Sequence, residues 1–194
     1  MSLTAGVVAV QGNIRAHEAA FNRLGEQANR EIDVLPVRTS GILPDCDMVA
    51  VPGGESTTIG RLIEQQGLAQ ELREHVAGDK PMLATCAGLI VAASNPADSR
   101  VESLDLLDVE IERNAFGRQR DSFEAPIDIS GLNEPFPGVF IRAPVVADAG
   151  SAEVLATYED SIVAVRYGSV TATAFHPELS GDSRMHQLAF ADVL

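Results

Sequence analysis

Strands alternating with helices through the first half of the chain predict an α/β fold, with a central, mainly parallel sheet covered by helices on both faces. Three observations carry this expectation. Short Val- and Ala-rich runs recur at intervals, apolar residues between them fall at helical spacing, and segments rich in glycine or small residues stand where strands end. Val7-Val8-Ala9-Val10 reads as the first strand. Ile14, His17, Phe21 and Leu24 follow at helical spacing, with Gly25 as the expected stop. Ile32 to Val37 alternates toward a second strand, and Asp47 to Val51 forms a third that breaks at Pro52-Gly53-Gly54. Ile59, Leu62 and Ile63 give a short helix ending near Gly67, and Leu68, Leu72 and Val76 give another. Pro81 to Ala84 then reads as a buried strand and Leu89 to Ala93 as the helix after it.

The second half changes character. Residues 109–112, 127–129, 139–141, 162–165 and 170–175 are short strand candidates with turns between them, and Leu188 to Val193 is expected to close the chain as part of a helix. Asn95-Pro96-Ala97-Asp98-Ser99 reads as a surface loop. With no repeat, low-complexity run or linker, residues 1–194 are expected to form a single domain, large enough to bury a substantial core.

Composition narrows the class. Hydrophobic residues make up 45% of the chain and aromatics only 5%, so the core is aliphatic. Two cysteines, Cys46 and Cys86, do not make a disulfide framework and point to a reducing, cytoplasmic setting. The N-terminus lacks the basic region of a signal peptide, and the longest mainly apolar stretch, Met82 to Ala93, is too short to span a bilayer. The net charge is −14, and Lys80 is the only lysine. This argues against nucleic-acid binding, which needs a basic footprint. It favours adaptation to a salt-rich cytoplasm, where self-repulsion between carboxylates is screened.

Cys86 stands at a strand-to-helix turn within Ala84-Thr85-Cys86-Ala87-Gly88. Small neighbours suit a nucleophile elbow, where strand and helix backbones nearly touch. A thiol nucleophile needs a base, and the base needs an orienting acceptor. His176-Pro177-Glu178 supplies both, since a carboxylate two residues on can reach one ring nitrogen and leave the other for Cys86. Gly53-Gly54, at the end of the third strand, can aim a backbone N–H at a developing oxyanion without an intervening side chain. Ala87, just after the nucleophile, offers the second amide. Together these are the parts of an acyl-transfer site.

Seven segments carry a resemblance that spans nearly the whole chain in order: Gln11-Gly12; Pro52 to Ile59; Thr85 to Ile90; Arg113-Asn114-Ala115-Phe116-Gly117-Arg118-Gln119; Asp121-Ser122-Phe123-Glu124; Phe140 to Pro144; and Phe175 to Leu179. The chain resembles the glutaminase subunit of pyridoxal 5′-phosphate synthase, a class I glutamine amidotransferase. The resemblance implies a flavodoxin-like three-layer sandwich forming one glutaminase domain. It implies hydrolysis of L-glutamine to L-glutamate and ammonia by a Cys86–His176–Glu178 triad, with Gly54 and Ala87 as the oxyanion hole. Substrate contacts would fall on Gly53, Gly54, Glu55, Arg113, Ile141 and Arg142, with the two arginines suited to the substrate α-carboxylate. Gln11 is a candidate substrate or interface contact. The implied partner is the synthase subunit that takes up the ammonia, and no cofactor or metal is implied.

Two positions depart from the family pattern. Ala84 stands where glycine is usual two residues before the nucleophile, and Ala16 replaces a usual glutamate before His17. The motifs are also compatible with a glutaminase serving another synthase, such as imidazole glycerol phosphate synthase. A non-catalytic regulatory subunit and a cysteine hydrolase acting on peptides or small aldehydes are further alternatives. Cys46 is expected to be a buried small residue, and His17, His75 and His186 to be packing or surface residues.

Overall fold

The structure is a computed structural model that describes residues 2–113 and 122–194. The first half contains strands β1 (Leu3–Val8), β2 (Ile32–Val37), β3 (Met48–Val51) and β4 (Met82–Thr85). Helices α1 (Ile14–Ala28), α2 (Ser56–Gln65), α3 (Leu68–Ala77) and α4 (Ala87–Ala92) lie among them. The second half contributes β5 (Ala93–Asn95), β6 (Leu107–Glu112), β7 (Ser122–Ile127), β8 (Phe136–Ile141), β9 (Val145–Asp148), β10 (Glu153–Tyr158), β11 (Ser161–Tyr167) and β12 (Val170–Thr173), and ends in α5 (Arg184–Ala189).

Among the described residues the main sheet runs β2-β1-β3-β4-β12-β11-β9-β6-β5, with β10 paired to β11. From β2 to β12 every pairing is parallel, whereas β11 joins β12 and β9 antiparallel. The fold is therefore the expected three-layer α/β sandwich, and its parallel part carries the site. β7 and β8 form a separate hairpin.

Alternation along the central strands builds the two helical layers. On β3, Met48 and Ala50 face one way and pack with Phe21 and Leu24 of α1 and with Phe190. Val49 and Val51 face the other way, toward Ile59 and Ile63 of α2 and Leu68 and Leu72 of α3. β3 and β4 are buried along their whole length, as expected for central parallel strands. Asp47 closes the start of β3 by accepting the Thr4 N–H at 2.8 Å.

Several boundaries differ from the sequence expectation. The first strand covers Leu3–Val8, earlier than Val7–Val10. α1 does not stop at Gly25 but continues to Ala28. Gly25 is a close-approach residue, because a Cβ there would stand 2.8 Å from the Arg30 carbonyl oxygen. The stop is Asn29, in the left-handed region at φ 50°, followed by the Arg30 N–H donating back to Gly25 O at 2.9 Å. The closing helix spans Arg184–Ala189, not 188–193, and begins after a turn in which Ser180 and Asp182 bond backbone N–H groups. The helix after β4 ends at Ala92, and Ala93 opens β5, so Asn95 belongs to a strand and only the rest of 95–99 is loop. The strand expected at 127–129 lies at Ser122–Ile127. β5, β9 and β10 are additional to the strands the sequence predicts.

Candidate active site

Cys86 occupies the turn between β4 and α4 with φ 52° and ψ −107°, a left-handed φ that an L-residue adopts only under constraint. Its N–H donates to Thr173 O on β12 at 2.8 Å, which pins the elbow to the neighbouring strand. The thiol points at the Ile141 carbonyl oxygen, 3.8 Å away. The residue is only 8% exposed. Ala84 is fully buried in β4, opposite Val51 and Ala172, and its methyl joins the aliphatic core.

His176 follows β12 and donates its backbone N–H to Val139 O on β8 at 2.8 Å. Pro177–Leu179 form a single 3-10 turn that folds Glu178 back, so that its Oε1 lies 2.7 Å from His176 Nδ1. Nε2 is left for Cys86. Burial opposes a charge on His176, but the interactions with Cys86 and Glu178 outweigh it and push its pKa up to about 10. Burial likewise opposes the charge on Glu178, and hydrogen bonds from His17 and His176 hold its carboxyl well below the usual range. Both shifts favour the charged imidazole facing the ionised carboxylate, beside Cys86.

Gly53 fits between them. A Cβ at this position would stand 2.6 Å from His176 Cε1 and 3.1 Å from Cys86 Cβ, so any side chain there would displace the reacting groups. Beyond Gly54, the Glu55 N–H donates to Gln11 Oε1 at 2.7 Å, which ties the glycine loop to the end of the first strand segment. The Glu55 carboxylate caps α2, accepting from the Thr57 hydroxyl at 2.5 Å and the Thr58 N–H at 2.8 Å. These bonds hold its pKa down at about 2.

The structure brings the expected site residues into one cavity of about 480 Å³. Cys86, His176 and Glu178 line it together with Gly53, Gly54 and Ala87. Glu55, Arg113, Ile141 and Arg142 also line it. Gln11 stands behind the loop and supports it. Arg113 Nη1 donates to Asp98 Oδ2 at 2.6 Å, and Arg100 Nη2 donates to the same oxygen at 2.8 Å. Asn114 to Gln119 and Asp121, part of the motif read from the sequence, lie outside the described residues.

Cys46 is buried, and burial pushes its thiol up to about 11, which fits a packing residue. His186 is fully buried against Phe21 and Phe190, and burial lowers its pKa to about 3. His75 is buried with Nε2 3.3 Å from Pro81 O. His17 is buried as a packing residue would be, and it also reaches the site. It is fully buried, with Nε2 3.4 Å from Glu178 Oε1 and 3.5 Å from Thr85 Oγ1. Its signal was a histidine on the apolar stripe of α1, between Ile14 and Phe21. Asp98 is the other contributor that sequence reasoning missed, and an acidic residue in a polar loop gives no signal of its own.

A strained cysteine elbow, a buried histidine–carboxylate pair and a glycine loop on a parallel α/β sheet define a cysteine-dependent acyl-transfer enzyme fold. Residues 7–193 match the model of the SNO glutamine amidotransferase family, and the chain belongs to that family. It is 58% identical over 189 residues to the pyridoxal 5′-phosphate synthase subunit PdxT of Haloquadratum walsbyi, covering 97% of this chain and 92% of its relative. It is 56% identical to that of Halobacterium salinarum, covering 99% and 95%, and 45% identical to that of Methanosarcina acetivorans, covering 97% and 98%. A crystal structure described as a glutamine amidotransferase superposes with a TM-score of 0.85 at 41% identity, covering 96% and 97% of the two chains. The acid excess fits the halophilic archaea among these relatives.

Proposed function

We propose that the chain hydrolyses L-glutamine to L-glutamate and ammonia, and that a synthase subunit receives the ammonia to make pyridoxal 5′-phosphate. The observation that carries the chemistry is the 2.7 Å His176–Glu178 pair set beside a strained Cys86 in one cavity. The Cys86 thiolate attacks the side-chain amide carbon of glutamine, a C–S bond forms, and the carbonyl electron pair moves onto oxygen. Backbone amides at Gly54 and Ala87 stabilise that oxyanion. When it collapses the C–N bond breaks, and His176 delivers its proton to the departing nitrogen. Water then attacks the thioester carbonyl while His176 takes up one of its protons, and collapse breaks the C–S bond, releasing glutamate and restoring the Cys86 thiolate beside the protonated imidazole. Glu178 holds the imidazole in the required tautomer and stabilises its charge. Arg113 and Arg142 bind the substrate α-carboxylate, and Glu55, Gly53 and Ile141 complete the glutamine contacts.

The test is glutamate release by the wild type and by Cys86→Ala, with and without the synthase subunit, in molar KCl. A diazoketone analogue of glutamine supplies a second readout, the mass shift of the peptide that contains Cys86. Turnover abolished in Cys86→Ala, a labelled Cys86 in the wild type and acceleration by the synthase are expected. A folded Cys86→Ala enzyme turning over at the wild-type rate would overturn the nucleophile assignment. A site that does not label would favour a regulatory subunit, and a rate indifferent to the synthase would remove the partner.

A further inference from the structure

A buried imidazole that makes no use of its nitrogens costs free energy an aliphatic side chain would not. His17 is fully buried, yet it stands on the apolar stripe of α1 where leucine would pack. Its Nε2 lies between two oxygens of the site, Glu178 Oε1 at 3.4 Å and Thr85 Oγ1 at 3.5 Å. Thr85 is also fully buried and immediately precedes the nucleophile. One imidazole therefore touches the carboxylate side and the cysteine side of the site. A carboxylate oxygen only accepts, so the nitrogen facing it carries the proton, and His17 Nε2–H is the donor. The same helix reaches Glu178 a second time, where Arg23 Nη2 donates to its backbone carbonyl at 3.4 Å.

We propose that His17 is a positioning residue for glutamine hydrolysis: it fixes Glu178 Oε1 under His176 Nδ1 and locks that carboxylate to the cysteine elbow through Thr85. The proposal rests on the Cys86–His176–Glu178 assignment above. Glu178 Oε1 takes both histidine contacts, whereas Oε2 is buried with no hydrogen-bond partner among the described residues. Among the described residues, the side-chain contacts of this carboxylate are therefore those to His17 and His176. The charged and titratable groups around Glu178 are His17 and Arg23 from α1, His176 from its own turn, Cys86 from the elbow and His186 from α5. Of the α1 and α5 groups, only His17 reaches the carboxylate oxygen. Its hydrogen bond is one cause of the lowered Glu178 pKa, opposing the effect of burial.

The test compares His17→Gln, His17→Asn and His17→Leu in the full chain, assayed for glutamate release with the synthase present. A glutamine amide nitrogen reaches about as far as Nε2, and an asparagine amide nitrogen falls short of it. Losing one hydrogen bond to a charged group predicts a kcat about 10- to 100-fold lower for His17→Leu and His17→Asn, with KM for glutamine nearly unchanged. His17→Gln is expected to recover most of the rate. The acid limb of the kcat profile should move to higher pH in the Leu and Asn variants, because Glu178 then protonates more easily. Equal rates for Gln and Asn, or a loss expressed only in KM, would overturn the proposal. So would a wild-type rate in a folded Leu or Asn variant. Should the Leu variant fail to fold, the Gln and Asn pair decides. Cys86→Ala run in parallel separates the two levels. Activity retained there defeats the triad itself, whereas an inactive Cys86→Ala beside an unimpaired His17→Asn defeats only the role of His17.

Discussion

Glu178→Gln separates charge from orientation at the triad. The substitution keeps size and shape, and the amide oxygen can still accept from His176 Nδ1. What disappears is the negative charge that stabilises the imidazolium. A hydrogen bond to a charged group contributes about 1.5–3 kcal/mol, roughly twice a neutral one, so converting one into the other removes on the order of 1–2 kcal/mol. That lowers kcat by about 5- to 30-fold. A much larger loss would follow if the amide turned its NH₂ toward His176 and forced the wrong tautomer, an effect of about 10⁴ in comparable triads. The structure opposes that flip. Oε1 faces two nitrogens, His176 Nδ1 at 2.7 Å and His17 Nε2 at 3.4 Å, and an NH₂ group placed there would oppose both N–H donors. The single substitution should therefore cost far less than Cys86→Ala. Combined with His17→Leu it should cost more than the product of the two single effects, because the amide is then free to turn. Glutamate release at saturating glutamine, completed as a double-mutant cycle, gives the numbers. A single-mutant loss above about 10³, or a strictly multiplicative double mutant, would refute the claim that His17 holds the acceptor oxygen in place.

Three other expectations follow from the geometry. Gly53→Ala should fold normally and lose about a hundredfold or more in kcat, because its Cβ would stand 2.6 Å from His176 Cε1; crystallography of the variant should show the imidazole displaced. Asp98→Asn should raise KM for glutamine by about two- to fivefold with kcat unchanged, since Asp98 holds Arg113 through a partly exposed pair; a steady-state titration of glutamine decides it. The melting temperature should rise between low and molar KCl, as the Debye length falls from about 10 Å at 0.1 M to about 3 Å at 1 M and screens a net charge of −14. A flat or falling curve would count against adaptation to salt.

The parallel half of the fold was legible because buried parallel strands are short apolar runs broken by turns, as at Met48–Val51 before Pro52-Gly53-Gly54. The elbow was legible for a related reason: only small residues permit the close packing around Cys86, so the constraint is written in the composition of the segment. Where the structure departs from expectation, the deciding contact is remote in sequence. Gly25 looks like a stop from its own neighbourhood, yet α1 continues because the glycine makes room for the chain entering β2, and Asn29 takes the left-handed turn instead. β5, β9 and β10 carry weak local patterns and exist through their partners on β6 and β11. Glu55 lines the cavity, and its local surroundings, an acid before Ser56-Thr57-Thr58, also make it the helix cap of α2, a role legible in the sequence. The sequence separation between His17 and Glu178 explains why His17 read as packing. Its position on the apolar face of α1 was visible, but the carboxylate that gives the buried imidazole a partner arrives only when the Pro177–Leu179 turn closes against that helix. A polar residue on an apolar stripe therefore marks a meeting point with a distant segment, and here that segment is the turn that carries the triad.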